Sequence, residues 1–150
     1  MDKIIQTIVV RRKYPVDGGE KTIRTGKYCA QSAHASMAFL SNKWRNGKTV
    51  RSGVVSNSGY SVEEYFVPEP LTEEEQGWID GSFTKICLYV DSEDELMKVY
   101  NDAIDSGLTS HLIKDSGLTE FGGEATYTAL AIGPHWKSKI DPITKELKLF

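Results

Sequence analysis

Cysteine, long apolar runs and the familiar signatures of nucleotide and metal chemistry are all scarce or missing in this chain. Only Cys29 and Cys87 occur among its 150 residues, too few for a disulfide framework, and both are expected as reduced core thiols. No apolar stretch approaches the roughly 18 residues of a membrane span. The opening MDKIIQTIVVRRKY carries its charges behind its apolar run, the wrong order for a secretory signal. A cytoplasmic chain with no membrane partner is therefore expected. A phosphate loop ending at Gly26-Lys27 would need glycine where Lys21 stands, and GxGxxG, GxSxG and HExxH do not occur. Three histidines are present, and Cys29, His34, Cys87, His111 and His135 are too scattered for a zinc site. Neither metal nor cofactor is expected. No internal repeat or low-complexity segment divides the chain, so residues 1–150 are read as one domain.

Positive charge is in deficit overall, with a formal net charge of −3, but it is unevenly spread. Residues 1–51 hold eleven Lys and Arg against Asp2, Asp17 and Glu20; residues 52–150 hold seven against eighteen Asp and Glu. A basic first third suits an anionic target such as phosphate or RNA. It equally suits two segments that neutralise one another across the folded surface.

The run IIQTIVV at 4–10 is β-branched and short, which predicts a buried strand. YPVDGGEKT is expected as a loop. A long helix should begin with Thr22 or Thr25 as N-cap, burying Ala30, Ala33, Met37, Leu40 and Trp44 at steps of three and four. Residues 46–71, with three glycines and two prolines, form an atypical connecting segment, either a long loop or a small hairpin. Capping-box spacing at Thr72–Glu75 and Ser92–Glu95 predicts two helix starts, the second followed by the stripe Leu96, Val99, Tyr100, Ala103 and Ile104. KICLYVD, LTSHLIK and TYTALAIG read as strands. SKIDPITKELKLF reads as a turn or short helix with a final apolar segment. Strands alternating with helices predict an α/β fold with a largely parallel sheet, in which the last two strands are close enough to pair antiparallel.

Two polar groupings stand apart from this framework. Lys27, Gln31 and His34 are spaced i, i+4, i+7 and stack on one helix face. Lys27 falls in the first turn, where unpaired N–H groups favour an anion. The same spacing also fits a solvated face. Asp115-Ser116-Gly117-Leu118-Thr119 follows a strand, where open α/β sheets place ligands, although Asp beside Gly is also a common turn former. Lys85 opens a strand, and Thr126 and Thr128 share one strand face.

The blocks GKYCAQSAHASM, KICLYVDSEDEL, IKDSGLTEF, TALAIGP and IDPITKELKLF, in this order, resemble the type-2 peptidyl-tRNA hydrolases. The resemblance is to the branch with TEF-x-G-x-x-T-x-T, also described as aminoacyl-tRNA hydrolases. It implies a compact α/β domain whose mixed four-stranded sheet lies between helices on both faces. It also implies hydrolysis of the ester between a peptidyl or N-blocked aminoacyl group and the 3′ end of tRNA, without a metal, and often a homodimer. By position it implies Lys27, Lys85, Asp115, Thr119 and Thr128 as catalytic residues, with Gln31, His34 and Thr126 around the substrate. Asp115 would orient or activate water beside Thr119 and Thr128. Lys85 or Lys27 would stabilise developing charge, and Lys27 with His34 would hold the terminal phosphates. The basic residues Arg11, Arg12, Lys13, Lys21 and Arg24 would meet the acceptor stem.

Departures from the pattern are specific. Leu118 stands where the family has arginine and Ser116 where it has alanine, the loop through Gly122-Gly123-Glu124-Ala125 is longer, and the 41–80 segment exceeds the usual connection. A tRNA- or RNA-binding module of the same fold without catalysis is the alternative these departures leave.

Overall fold

In the computed structural model, residues 1–118 and 120–150 are described, and among them nine strands and four helices follow in order. Strand β1 (Ile4–Arg11) is followed by the small hairpin β2 (Tyr14–Val16) and β3 (Gly19–Lys21), then by α1 (Thr25–Arg45). A second hairpin, β4 (Lys48–Ser56) and β5 (Gly59–Val67), precedes α2 (Glu73–Asp80) and β6 (Lys85–Val90). Helix α3 (Glu93–Asp105), β7 (Ser110–Asp115), β8 (Thr126–Trp136), α4 (Lys137–Thr144) and β9 (Lys148–Leu149) complete the chain.

The central sheet has the order β7-β8-β1-β6-β9. Only β1 and β6 pair in parallel; β8 runs against both β1 and β7. The sheet is mixed, as the resemblance implies and not largely parallel as the element order predicts, and it has five strands, because the final apolar segment adds Leu149 opposite Leu88. The predicted loop after β1 is instead a hairpin pairing Tyr14 with Lys21.

Alternation along β1 divides its side chains between two cores. Ile5 and Val9 join Leu96, Val99 and Ala103 of α3 and Ile140 of α4. Ile8 and Val10 join Tyr28 and Ala35 of α1 and Ala129 and Ala131 of β8. Cys87 packs against this second core, whereas Cys29 is exposed, contrary to the expectation of a buried thiol.

Helix α1 lies on the sheet by the face opposite to the predicted one. Tyr28, Gln31, Ala35, Ala38 and Phe39 are buried, while Met37 and Trp44 are 61% and 63% exposed. Both faces carry apolar residues at helical spacing, so periodicity cannot choose between them; small Ala35 and Ala38 permit the close approach to β8. The N-cap is Arg24 with no side-chain cap, not Thr22 or Thr25. Helix α2 has the complete Thr72–Glu75 capping box and packs Trp78 edge-on to Phe39, with ring centroids 5.9 Å apart. In α3, Ser92 caps Glu95, but the Glu95 carboxylate turns to Asp91 N instead of closing the box.

The 46–71 segment contains the hairpin of the two expected alternatives. Its nine-residue strands pair from Lys48–Val67 to Ser56–Gly59, and Phe66 meets Trp44 at a centroid distance of 4.9 Å. Most of its residues are exposed.

The orientation of α1 has a measurable consequence. Phe39→Ala should lower the unfolding free energy in urea by about 3–5 kcal/mol. Ala30→Ser, exposed where the periodicity would bury it, should change it by no more than about 0.5 kcal/mol.

Candidate active site

Helix α1 begins at the end of the sheet where β7 finishes, which brings Lys27 and Asp115 together. Lys27 Nζ donates to Asp115 Oδ2 at 2.8 Å, and the two side chains are only 16% and 12% exposed. One turn on, Gln31 Nε2 donates to the same Oδ2 at 2.9 Å. Gln31 Oε1 accepts from Thr128 Oγ1 at 2.6 Å, and both residues are buried. The amide orientation follows: with its oxygen held by the threonine hydroxyl, the amide can offer only N–H to the carboxylate.

The other carboxylate oxygen is fixed by the chain itself. Gly117 N donates to Asp115 Oδ1 at 2.8 Å, closing an Asx turn. Gly117 has φ +82, and a Cβ there would sit 1.9 Å from the Glu124 carbonyl oxygen. The turn therefore requires glycine. Burial works against the Asp115 charge, but the hydrogen bonds from Lys27 and Gly117, the Lys27 charge and the Gln31 amide outweigh it. The carboxyl is held below its ordinary value of 3.8.

Phe121 closes one side, its ring centroid 5.9 Å from Lys27 Nζ. Beside it, Glu120 takes Arg24 Nε on its carboxylate at 2.8 Å and Lys21 Nζ on its carbonyl at 2.5 Å. Neither Glu120 nor Phe121 was singled out from the sequence, although both lie within the TEF stretch.

The remaining predicted residues are dispersed. Thr119 lies outside the described residues. Thr126 turns its hydroxyl to the Glu124 carbonyl, away from the Gln31–Thr128 link. His34 is exposed one turn beyond Gln31 and opens on an adjoining cleft. Lys85 is not part of the cluster. Because β6 is parallel to β1, its first residue pairs with Gln6, while the Asp115 end of β7 lies level with the far ends of β1 and β8. Lys85 Nζ instead meets the Phe83 carbonyl at 3.1 Å and the Phe83 and Trp78 rings, and desolvation lowers its pKa.

Most of the residues expected at the acceptor stem are already engaged within the chain. Arg11 is buried, with its guanidinium on Glu93 at 3.3 Å, the Lys13 and Tyr127 carbonyls, and the Tyr14 ring. Arg12 makes a two-pronged pair with Asp91 over Tyr89. Lys13 faces a small depression shared with Glu20 and Asp91. Arg11, Arg12, Arg24, Lys27, Lys43 and Arg51 each pair with an acidic residue from the later part of the chain. Charge neutralisation between the segments thus accounts for much of the basic first third. Among the described residues, no group of three or more His, Cys, Asp or Glu is placed to hold a metal ion, and no helix is long and apolar enough to cross a membrane.

The Asp115 environment predicts a pH signature. A carboxyl depressed on folding contributes stability that is present above its unfolded value and lost as pH falls through its folded value. Asp115→Asn places an amide before two donors and should cost about 1–3 kcal/mol at neutral pH. In thermal melts from pH 7 to 2, the gap between wild type and variant should close only below the ordinary carboxylate range.

Comparison with known proteins extends beyond the cluster to the chain as a whole. A protein-family description, peptidyl-tRNA hydrolase PTH2, matches residues 4–150. A Methanopyrus kandleri protein named peptidyl-tRNA hydrolase is 34% identical over 145 residues, covering 96% of each chain. One from Nanoarchaeum equitans is 30% identical over 98% of this chain and 100% of its own length. One from Sulfolobus acidocaldarius is 43% identical over 83% of this chain and 87% of its own. With a family match across all but the first three residues and relatives aligned nearly end to end, the chain belongs to the peptidyl-tRNA hydrolase PTH2 family.

Proposed function

We propose that this chain hydrolyses the ester joining a peptidyl or N-blocked aminoacyl group to the 3′ end of tRNA, with Lys27, Gln31, Asp115 and Thr128 as its active centre. The observation that carries this reading is the linked Lys27–Asp115–Gln31–Thr128 network in a member of this family. Ester hydrolysis needs an oriented water, a stabilised oxyanion and a held leaving group. A carboxylate with a lowered pKa is a weak proton acceptor, so Asp115 serves chiefly to orient the attacking water. Lys27 offers its ammonium to the charge that develops on the ester oxygen. Gln31, locked by Thr128, keeps both groups in place. His34 and Thr126 belong to the substrate-facing rim, and Thr119 enters the proposal only through its position in the family's sequence pattern. On this reading the chain acts in translation, in the cytoplasm where its tRNA substrate is found.

Release of N-acetyl-aminoacyl groups from tRNA, with and without EDTA, tests the proposal. Lys27→Ala and Asp115→Asn should each lower kcat about 10²–10⁴-fold, while Lys85→Ala should leave it near wild type. Unchanged turnover in both site variants would overturn the assigned centre. Wild-type protein that binds tRNA but cleaves no ester would be the non-catalytic binding module.

The homodimer is part of the same proposal. The outer face of α1 leaves Ala33, Met37 and Trp44 exposed, with Phe83 nearby, an apolar stripe that a two-fold partner would cover. Sedimentation should give a dimer that Met37→Glu with Trp44→Glu converts to monomer. A wild-type monomer at high concentration would remove the dimer from the proposal.

A further inference from the structure

A cleft of about 630 Å³ lies between α1 and the edge strand β7. His34, Asn42 and Arg45 line it from the helix, His111 and Lys114 from the strand, and Tyr100 from α3. Among the described residues its lining holds two fixed cations and no carboxylate. Glu75, the acidic group that acts on His111, is already paired with Lys43 at 3.1 Å.

The position of the cleft relates it to the reaction. Lys114 immediately precedes Asp115, and His34 is one turn beyond Gln31, so the cleft lies next to the network along both α1 and β7. From Gln31 to Arg45 the helix axis extends roughly 21 Å at about 1.5 Å per residue, longer than a single nucleotide needs. The cavity on the other side of the network, about 490 Å³, has the opposite character. Asp17, Glu93, Glu120 and Glu124 line it, and its two cations, Arg11 and Lys21, are engaged with Glu93 and the Glu120 carbonyl. A polyanion is repelled from that side and attracted to the first.

Resting on the proposed hydrolase reading, we infer that the α1–β7 cleft seats the single-stranded 3′ end of the tRNA. Its phosphates lie against Arg45 and Lys114, and its bases lie against the His34 and His111 rings. A cationic groove with flat side chains is the usual means of holding single-stranded nucleic acid without reading its sequence. Lys114 is exposed, with its ammonium 5.0 Å from the Tyr127 ring centroid, and Arg45 is exposed with one guanidinium nitrogen 3.5 Å from Asn42 Oδ1. Both can turn to a phosphate without breaking the Asp115 network.

The test compares N-acetyl-aminoacyl esters of full tRNA, of the trinucleotide CCA and of adenosine alone, using wild type and the double variant Arg45→Ala/Lys114→Ala. Thermal melts check that the variant is folded. The expected result is a loss of about tenfold in kcat/KM on the tRNA and CCA esters, with a log–log salt slope shallower by about 1.4 for two single-strand phosphate contacts. Hydrolysis of the adenosine ester should stay within about twofold. No loss on any substrate, or an equal loss on all three, would overturn the inference. A loss that tracks peptide length at constant RNA length would give the cleft to the peptidyl chain, added along the β7 edge. Binding of a CCA-ended RNA oligonucleotide is measured in parallel. If wild type cleaves no ester, the catalytic reading fails, while weaker oligonucleotide binding by the variant still supports the cleft assignment and equal binding overturns it.

Discussion

The structure turns on one ion pair, Lys27 with Asp115, because it fixes the first turn of α1 to the end of an edge strand. Two charges largely withdrawn from water gain less from each other than they lose in hydration unless other partners share the load. Here Gln31 and Gly117 supply those partners, and Thr128 fixes the Gln31 amide. Such a pair is poor value as a source of stability alone. What it provides is a cation and an anion held 2.8 Å apart where the first turn of α1 meets the end of β7.

The same pairing logic explains how a net-acidic chain can serve RNA. A basic first third on an acidic remainder looks, as composition, like a broad anion-binding surface. In the folded chain, six of those cations face acids from later segments. The two cations lining the α1–β7 cleft are therefore more informative than the total count. Local charge left available at the site governs recognition of a polyanion, and net charge does not.

The strands, the helix positions and the Thr72 cap were legible because each depends on neighbours in sequence. The Lys27–Gln31 spacing was legible for the same reason, Asp115 was marked by its place after a strand, and the family resemblance singled out Thr128. What failed depends on distant contacts. An alanine-rich helix with apolar residues all round does not declare which side meets the sheet, so Met37 and Trp44 were misplaced. Arg11 and Arg12 end a strand in sequence, but Glu93 and Asp91, some eighty positions away, claim them. The two-residue strand β9 is too short to show a period, and it exists because Leu149 pairs with Leu88.

Topology places at opposite ends of the sheet the two lysines that the sequence left as alternatives. In a β-α-β unit with parallel strands, the intervening helix runs back along the sheet, so its first turn lies at the carboxyl ends of those strands. Lys27 is therefore placed at the carboxyl end of β1. Strand β7 is antiparallel to β8, which is antiparallel to β1, so β7 points the same way and delivers Asp115 to that same end. Lys85 begins β6, parallel to β1, and so must lie at the amino end. No side-chain rotation can carry it the length of the sheet. A charge at Lys85 can reach the Asp115 carboxylate only through a partner or a substrate that spans the protein, whereas Lys27 is held at that carboxylate by the direction of the chain.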